Sequence, residues 1–598
     1  MHSLVARRLA ASALRVARSP VPRSQRPQTP GLSPPHSEEQ EQQTSGILKK
    51  RRSSLPSPEC ALVSAQERVR ASTRCALASS QEPAQEPTRC ALASSQELWM
   101  QHVRPWARKC IADLGQQRRA VVLAELCSGL CTASAAMRAL GVVATETAIS
   151  VDPLQLARKM TSLTPWRSDH HFDTVESVTP GSACYCHWHA RDCEVPWARV
   201  DAVVIGASCK PYSRQRSSRF SDPSSVGTHQ DVHLLKEFLN VLAAQKPPLA
   251  LLEDVLGIQS GERLDEAGVS VSETWLEWMV KGAQDSGYVC RVVQLDAALW
   301  LPTKRPRVYV LMAREDVGNE RSLQQSVELL EQIVATRSAS GPPAPVQDYL
   351  AKPGDADFPA FQQRWQCVQP SLRRWAEQGS QGMDRDGAGQ CERAWAQQAG
   401  KFRDALLARG TQGYHLKPWT GVQPSLRRGA ERPSLRRGPE QGSLRRVAVT
   451  GVQPPQMRGL SATERSKELL DLAFLQACVD RGIDPREAMT ENAARVRAAA
   501  GLFCDVSQSI ARKPWCVGLL KCYTTSTEIY SYERDAVIEP EEAFRLHGFE
   551  GTPTGHGCSR KEMQALIGNC MAAPCVAIAL LSLLAAHGQG LLGCFTGP

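Results

Sequence analysis

At 598 residues the chain is long enough for two or more domains, but 39 prolines, 41 glycines and 6% aromatic residues argue that much of it is not packed core. A net charge of +10 favours a polyanionic partner. The 21 cysteines are scattered through apparent core segments with no secretory leader before them, which favours a reduced intracellular protein; the apolar run from Met571 to Ala586 falls short of the roughly 20 residues that span a bilayer, so no transmembrane segment is expected.

In chain order, the first 37 residues carry arginines among Ser, Ala, Leu and Pro with no acid until Glu38, the composition of an organellar transit peptide. Close by, Lys49-Lys50-Arg51-Arg52 reads as a nuclear-import or phosphate-contacting cluster, and the two addresses conflict. The nucleus is the preferred expectation, with a mitochondrion or plastid as the alternative. Three short repeats around Cys60, Cys75 and Cys90 follow at a spacing of 15, too short for a solenoid. Folded structure is expected from about Leu98.

Val121 to Leu126 has the continuous apolar pattern of a buried parallel strand, Cys127 to Cys131 is a tight turn, and Thr132 to Leu140 is an alanine-rich helix stopped by Gly141. Such a unit offers backbone N–H groups and a helix N-terminus to a ligand. The next strand ends in Asp152, 27 residues after Glu125, where a carboxylate can accept from ribose hydroxyls. The segment Cys184-x-Cys186-His187-x-His189-x-x-x-Cys193 holds enough thiol and imidazole for tetrahedral zinc. Its spacing is not a standard framework and one short segment rarely supplies four ligands, so a surface loop is the competing reading and no metal is assigned.

A second buried-strand run, Val203 to Ile205, stops at Gly206 and is followed by Cys209 on a turn closed by Pro211 and Ser213. That presents a thiol at the carboxyl end of a strand, the edge of an open α/β sheet where ligands bind. Leu235, Phe238, Leu239 and Leu242 fall at helical spacing, and the strand Leu249 to Leu252 ends in Glu253-Asp254. Arg305 and Arg307 precede another strand, and arginines there can hold a carbonyl and a nearby phosphate. Residues 313 to 500 do not read as one packed unit. Pro370-Ser371-Leu372-Arg373-Arg374 recurs from Pro424, Pro433 and Gly442, in a basic tract expected to be disordered, which either neutralises phosphates or is a neutral insertion. Order is expected again from about Asp505.

At these residues the sequence resembles the cytosine-5 methyltransferases that use S-adenosylmethionine (SAM). Ser208-Cys209-Lys210-Pro211-Tyr212-Ser213 stands against that family's Pro-Cys-Gln-Pro-Phe/Tyr-Ser, and Glu253-Asp254-Val255 against Glu-Asn-Val. Thr303-x-Arg305-x-Arg307 stands against Gln-x-Arg-x-Arg, Glu125 to Thr132 against Asp/Glu-x-Phe-x-Gly-x-Gly-Gly, and Gly568-Asn569 to Pro574 against Gly-Asn-x-x-x-x-Pro. The motifs keep the family's order and cover roughly half the chain, from about 119 to 312 and from about 500 to 587.

The resemblance implies a Rossmann-like α/β SAM-dependent methyltransferase fold, with a disordered region 1–97, a catalytic part 98–312, a variable target-recognition region 313–500, and a part 501–598 that completes the catalytic domain. It also implies Cys209 as the nucleophile that adds to cytosine C6, a protonated Glu253 at N3, and Arg305 with Arg307 holding the base and phosphate. SAM would be held by Glu125, Cys127, Gly129, Asp152, Asp173 and Asn569. Cys131 in place of glycine is expected to crowd the cofactor, and Asp254 to put a second carboxylate beside the first. DNA is the expected partner of a monomer, with base flipping; tRNA methylation and a catalytically weakened nucleic-acid-binding protein stay open.

Overall fold

The computed structural model describes residues 93–593 apart from 111–119, 142–143, 179–182, 214–228, 261–262, 265–269, 272, 356–357, 368–384, 423–451, 461–462 and 550–557. The basic amino-terminal stretch, most of the loop after Cys209 and the Ser-Leu-Arg-Arg copies lie outside the described residues. The chain enters its first core through α1 (Ala93–Cys110), slightly before the expected start.

The elements that follow are β1 (Val121–Leu126), α2 (Thr132–Leu140), β2 (Thr145–Val151), α3 (Gln155–Thr161), β3 (His170–Phe172), the hairpin strands β4 (Cys184–Cys186) and β5 (Arg191–Cys193), β6 (Ala202–Gly206), α4 (His233–Gln245), β7 (Leu249–Val255), α5 (Trp275–Asp285), β8 (Tyr288–Asp296) and β9 (Pro306–Arg314). Seven of the strands form one sheet in the order β8-β9-β7-β6-β1-β2-β3. All neighbours from β7 to β3 are parallel, whereas β9 runs antiparallel to both β7 and β8. Parallel strands covered on both faces carry continuous apolar runs, which is why all six residues of β1 are buried.

Strand alternation divides the core into two layers. Leu249 and Leu251 of β7, with Tyr309 and Leu311 of β9, join the cluster on one face; Ala250, Leu252, Val308 and Val310 join the other. The second face is covered by α4 through Leu235, Phe238 and Leu242 and by α5 through Met279 and Ala283. The first is covered by α2, by α6 (Glu320–Ala339) and by the carboxyl-terminal helix α14 (Ala573–Gly593). In length and apolarity the helical stretch Arg560–His587 could cross a membrane, but 94% of its most apolar window is buried in the fold. A helix apolar all round is here a central core helix.

The interval 313–500 has more order than its composition predicts. Its first helix, α6, belongs to the sheet's own core. Then α7 (Phe358–Cys367), α8 (Arg385–Ala408), α9 (Glu464–Asp480), α10 (Pro485–Thr490) and α11 (Asn492–Ala499) pack with a four-stranded antiparallel sheet of β10 (Leu502–Asp505), β11 (Trp515–Val517), β12 (Ile529–Ser531) and β13 (Ala536–Val537). Its polar centre is buried Asp471, which accepts from the backbone N–H groups of Trp419 and Thr420, each at 2.8 Å. Arg495 lies 4.0 Å over the Trp419 ring. Strands β10 to β13 build a second core with Leu502, Cys504, Tyr530 and Val537 and also contribute Phe503 and Ile529 to the first, which α12 (Pro540–Arg545), α13 (Arg560–Asn569) and α14 then extend. Tyr530 and Tyr532 bury their rings against Trp419 and Phe474 in the second core.

Candidate active site

The strand order reverses between β1 and β6, and open α/β sheets bind ligands in the crevice beyond the carboxyl ends at such a switch point. The turn after β1 and the turn after β6 both open there.

The first turn is held in an unusual backbone. Cys127 (φ 51°), Gly129 (φ 51°) and Cys131 (φ 53°) alternate in the left-handed region, which costs each non-glycine residue roughly 1–2 kcal/mol. Two buried carboxylates brace it. Glu125 accepts from the N–H groups of Ala133 (3.0 Å) and Ser134 (2.9 Å), capping α2 from the strand, and Asp152 accepts from Gly129 (2.8 Å) and Leu154 (2.9 Å). Burial pushes Glu125 up to about 7 and Asp152 upward, in both cases against these N–H groups. The Thr132 hydroxyl is buried with no protein partner. Leu154 leaves an apolar side chain exposed beside Asp152. Cys131 does not stand in the crevice: it is fully buried within the first core.

Asp173 follows β3 and is already paired, with Arg158 Nη1 at 2.8 Å and His187 Nε2 at 2.7 Å. Partial burial works against its charge, but His187 and Arg158 together hold its carboxyl below the usual range. Asn569 ends α13 and is exposed. The expected return of this segment beside the first turn is present: the Cys570 thiol meets the Leu130 backbone, and a Cβ at Gly206 would sit 3.2 Å from Met571 Sδ.

The second turn presents Cys209, half-buried, with its carbonyl accepting from the N–H groups of Tyr212 (3.2 Å) and Ser213 (2.8 Å). Its two neighbours that depart from the family pattern share one partner. The Ser208 hydroxyl donates to Asp231, and Lys210 Nζ lies 3.6 Å from the same carboxylate, so together they tie the turn to the far end of the loop that follows it.

Sheet register brings the other residues to this turn. Gly206 pairs with Glu253 in β7, and Tyr309 with Glu253 in β9. Because β9 is antiparallel, its start rather than its end lies at the carboxyl edge. Arg307 Nε reaches Glu253 Oε1 at 3.0 Å, with both side chains buried. Asp254 falls on the other face by strand alternation and accepts from the Val255 N–H at 2.6 Å, so it is not paired against Glu253. Arg305 also ties distant segments to this edge. Its guanidinium donates to the carbonyls of Tyr523 (3.4 Å) and Cys570, which pins the loop after β11 and the α13–α14 junction to the sheet. Arg307 is the arginine that pairs with Glu253, and both arginines favour the Cys209 thiolate.

The residue that motif reading missed is Cys522. Its thiol lies 3.7 Å from Arg305 Nη1 and 3.6 Å from Arg307 Nη2. No short motif surrounds it: it lies in the loop between β11 and β12. Burial works against its thiolate, but Arg307 and Arg305 outweigh this and hold it below the ordinary 9.0. Burial dominates at Cys209 and pushes that thiol above 9.0, with Arg307 opposing. Where Cys209 ionises, Cys522 is therefore already a thiolate and consumes part of Arg307's field. In Cys522→Ser the rising limb of activity against pH, which follows the Cys209 thiolate, should shift to lower pH; a limb that stays or moves up in a pH–rate profile removes this coupling.

The loop that carries Cys522 rests on Gly568, where a Cβ would collide with the backbone of Thr524 and Thr525. Backbone cannot yield as a side chain can. Gly568→Ala is expected to cost about 1–3 kcal/mol, read as a lower denaturation midpoint.

No family profile and no curated protein matches the chain. Among solved structures it is similar to the Entamoeba histolytica methyltransferase EhMeth, at 11% identity and TM-score 0.37 over 78% of this chain and 98% of that one. It is similar to S. pombe Dnmt2 methyltransferase at 15% identity and TM-score 0.36, over 78% and 98%. A third is a putative DNA modification methyltransferase encoded within a prophage (E. coli), at 16% identity and TM-score 0.37, over 79% and 100%. Function rests on the site itself. The strand order sets a braced turn at the switch point, and Cys209, Glu253 and Arg307 bring a thiol, a carboxylate and a guanidinium together at the same sheet edge.

Proposed function

We propose that the chain methylates C5 of cytosine in DNA, using SAM and a covalent adduct at Cys209. The observation that carries this reading is the convergence of Cys209, Glu253 and Arg307 from three adjacent strands, beside a turn built for a ligand. Cytosine C5 is too weak a nucleophile until C6 carries an added group, and a thiolate supplies one. Cys209 would add to C6, and its electron pair would pass through the ring toward N3 and C5. Glu253 would meet the N3 and amino edge of the base, and Arg307 would offset the charge that develops there. Once C5 has taken up the methyl group, loss of its proton to a base returns the electron pair to the C5–C6 bond, expels Cys209 as the thiolate and restores the ring.

The residues present fit SAM. The orphaned Thr132 hydroxyl, the open space above Gly129, exposed Leu154 and the Asp152 carboxylate, whose two oxygens each keep a free lone pair, make a cradle for a nucleoside. Gly129, Thr132, Asp152 and Leu154 would hold it, with Asp173 and Asn569 at its edges. When bound, it supplies an electrophilic methyl group. The net charge of +10 supports a nucleic-acid substrate, and a base inside a duplex must be flipped out to reach Cys209.

The test is transfer of labelled methyl groups from SAM to unmethylated DNA and, separately, to tRNA. Label in DNA is the expected result. Label in tRNA alone would replace the DNA reading with the RNA one, and no label in either, with no SAM binding, would leave a nucleic-acid-binding protein.

A further inference from the structure

The β4–β5 hairpin takes no part in that chemistry, yet it gathers a second set of reactive side chains. His170 at the start of β3, Cys186 at the end of β4, His189 in the connecting turn and Cys193 at the end of β5 place one donor atom each so that all lie within 4.8 Å of one another. His189 Nδ1 is 3.4 Å from Cys186 Sγ and 3.3 Å from Cys193 Sγ. One ring nitrogen carries either a proton or a lone pair, so it can serve a single directed hydrogen bond, not two thiols at once. An approach of both sulfurs to it is the arrangement of ligands around a common centre. His170 stands edge-on to His189, with ring centroids 4.8 Å apart, and its Nδ1 is buried with no protein partner. Both thiols are buried in the second core layer.

With metal–sulfur bonds of about 2.3 Å and metal–nitrogen bonds of about 2.0–2.1 Å, the edges of a tetrahedral S2N2 shell run roughly 3.3–3.8 Å. The sulfur–nitrogen separations of 3.3 and 3.4 Å fall there. The other two candidates in this segment are used elsewhere: Cys184 donates to the Ser177 carbonyl, and His187 holds Asp173. We propose that His170, Cys186, His189 and Cys193 bind one zinc ion. Four protein ligands leave no open position, so the ion is structural. It fastens the hairpin to edge strand β3, three residues before Asp173, and so fixes one wall of the switch-point crevice.

The full chain, purified without added metal, is analysed for zinc and iron, together with Cys186→Ser, His170→Ala and the control Cys184→Ser. The expected result is about one zinc per chain in the wild type and in Cys184→Ser, and at least a tenfold lower content in the other two. Should those variants fail to fold, the wild-type protein carries the test alone: a mercurial that caps thiols should release the zinc to a chromophoric chelator, and cobalt(II) exchanged into the site should show tetrahedral thiolate absorption. Protein that holds no zinc and gives no such cobalt spectrum, an iron chromophore, a Cys186–Cys193 disulfide, or equal loss in Cys184→Ser would overturn the proposal. Metal content is read without substrate, so this outcome is independent of whether methyl transfer occurs.

Discussion

Cys209→Ala is expected to remove methyl transfer altogether, a fall of at least about a thousandfold, with the fold kept. Cys209 brings the one thiol of the second turn to the carboxyl edge, and Arg307 favours the thiolate that burial disfavours. Ser208 and Lys210 hold the turn through Asp231, not through the Cys209 side chain, so the substitution removes one sulfur from a half-buried position and leaves the braces standing. The measurement is labelled methyl incorporation at equal protein concentration, with circular dichroism as the control for folding. Trapping of the wild-type protein, but not the variant, on cytosine analogues that cannot lose the C5 substituent would show the covalent bond directly. Residual transfer within tenfold of wild type would move the nucleophile elsewhere, and Cys522 is then the thiol to test.

Arg307→Met is expected to be the most destabilising change at the site. It leaves Glu253 buried without its partner, and breaking a buried pair typically costs about 3–5 kcal/mol because the remaining charge has no solvent. The double variant Arg307→Met with Glu253→Gln should recover much of that loss, since it removes the stranded charge as well. Chemical denaturation of the two single variants and the double variant measures the coupling. The exposed pair Arg199–Glu146, at 3.1 Å, is the contrast: solvent screens it, and its loss should change stability by less than about 1 kcal/mol. Equal effects at the two pairs would contradict the burial argument. Both Arg307→Met and the double variant should be inactive, so stability and activity separate here.

The chemistry of individual residues was open to reading without a fold. A strand ending in glycine before Cys209, and another ending in Glu253, already placed a thiol and a carboxylate at strand ends, because apolar runs and turn residues are local signals. Glu125 was placed at the cofactor turn by the same logic. Its work there, capping α2 through two N–H groups, needed the structure. Arg305 and Arg307 looked interchangeable in sequence, two residues apart before one strand. Only packing separates them: Arg305 is spent on the Tyr523 and Cys570 carbonyls, from parts of the chain more than 200 residues away, whereas Arg307 meets Glu253.

What the sequence determined by itself is therefore the set of reactive groups and the local elements that present them, since strand, turn and helix patterns depend on neighbours a few residues apart. What only the tertiary structure decided is which of those groups meet. The antiparallel placement of β9 brings its first residues, not its last, to Glu253; the loop after β11 delivers Cys522 to both arginines; and His170 joins three hairpin residues at least 16 positions later in the chain. Each depends on strand order and on burial summed over distant segments, and no short stretch of sequence records those contacts.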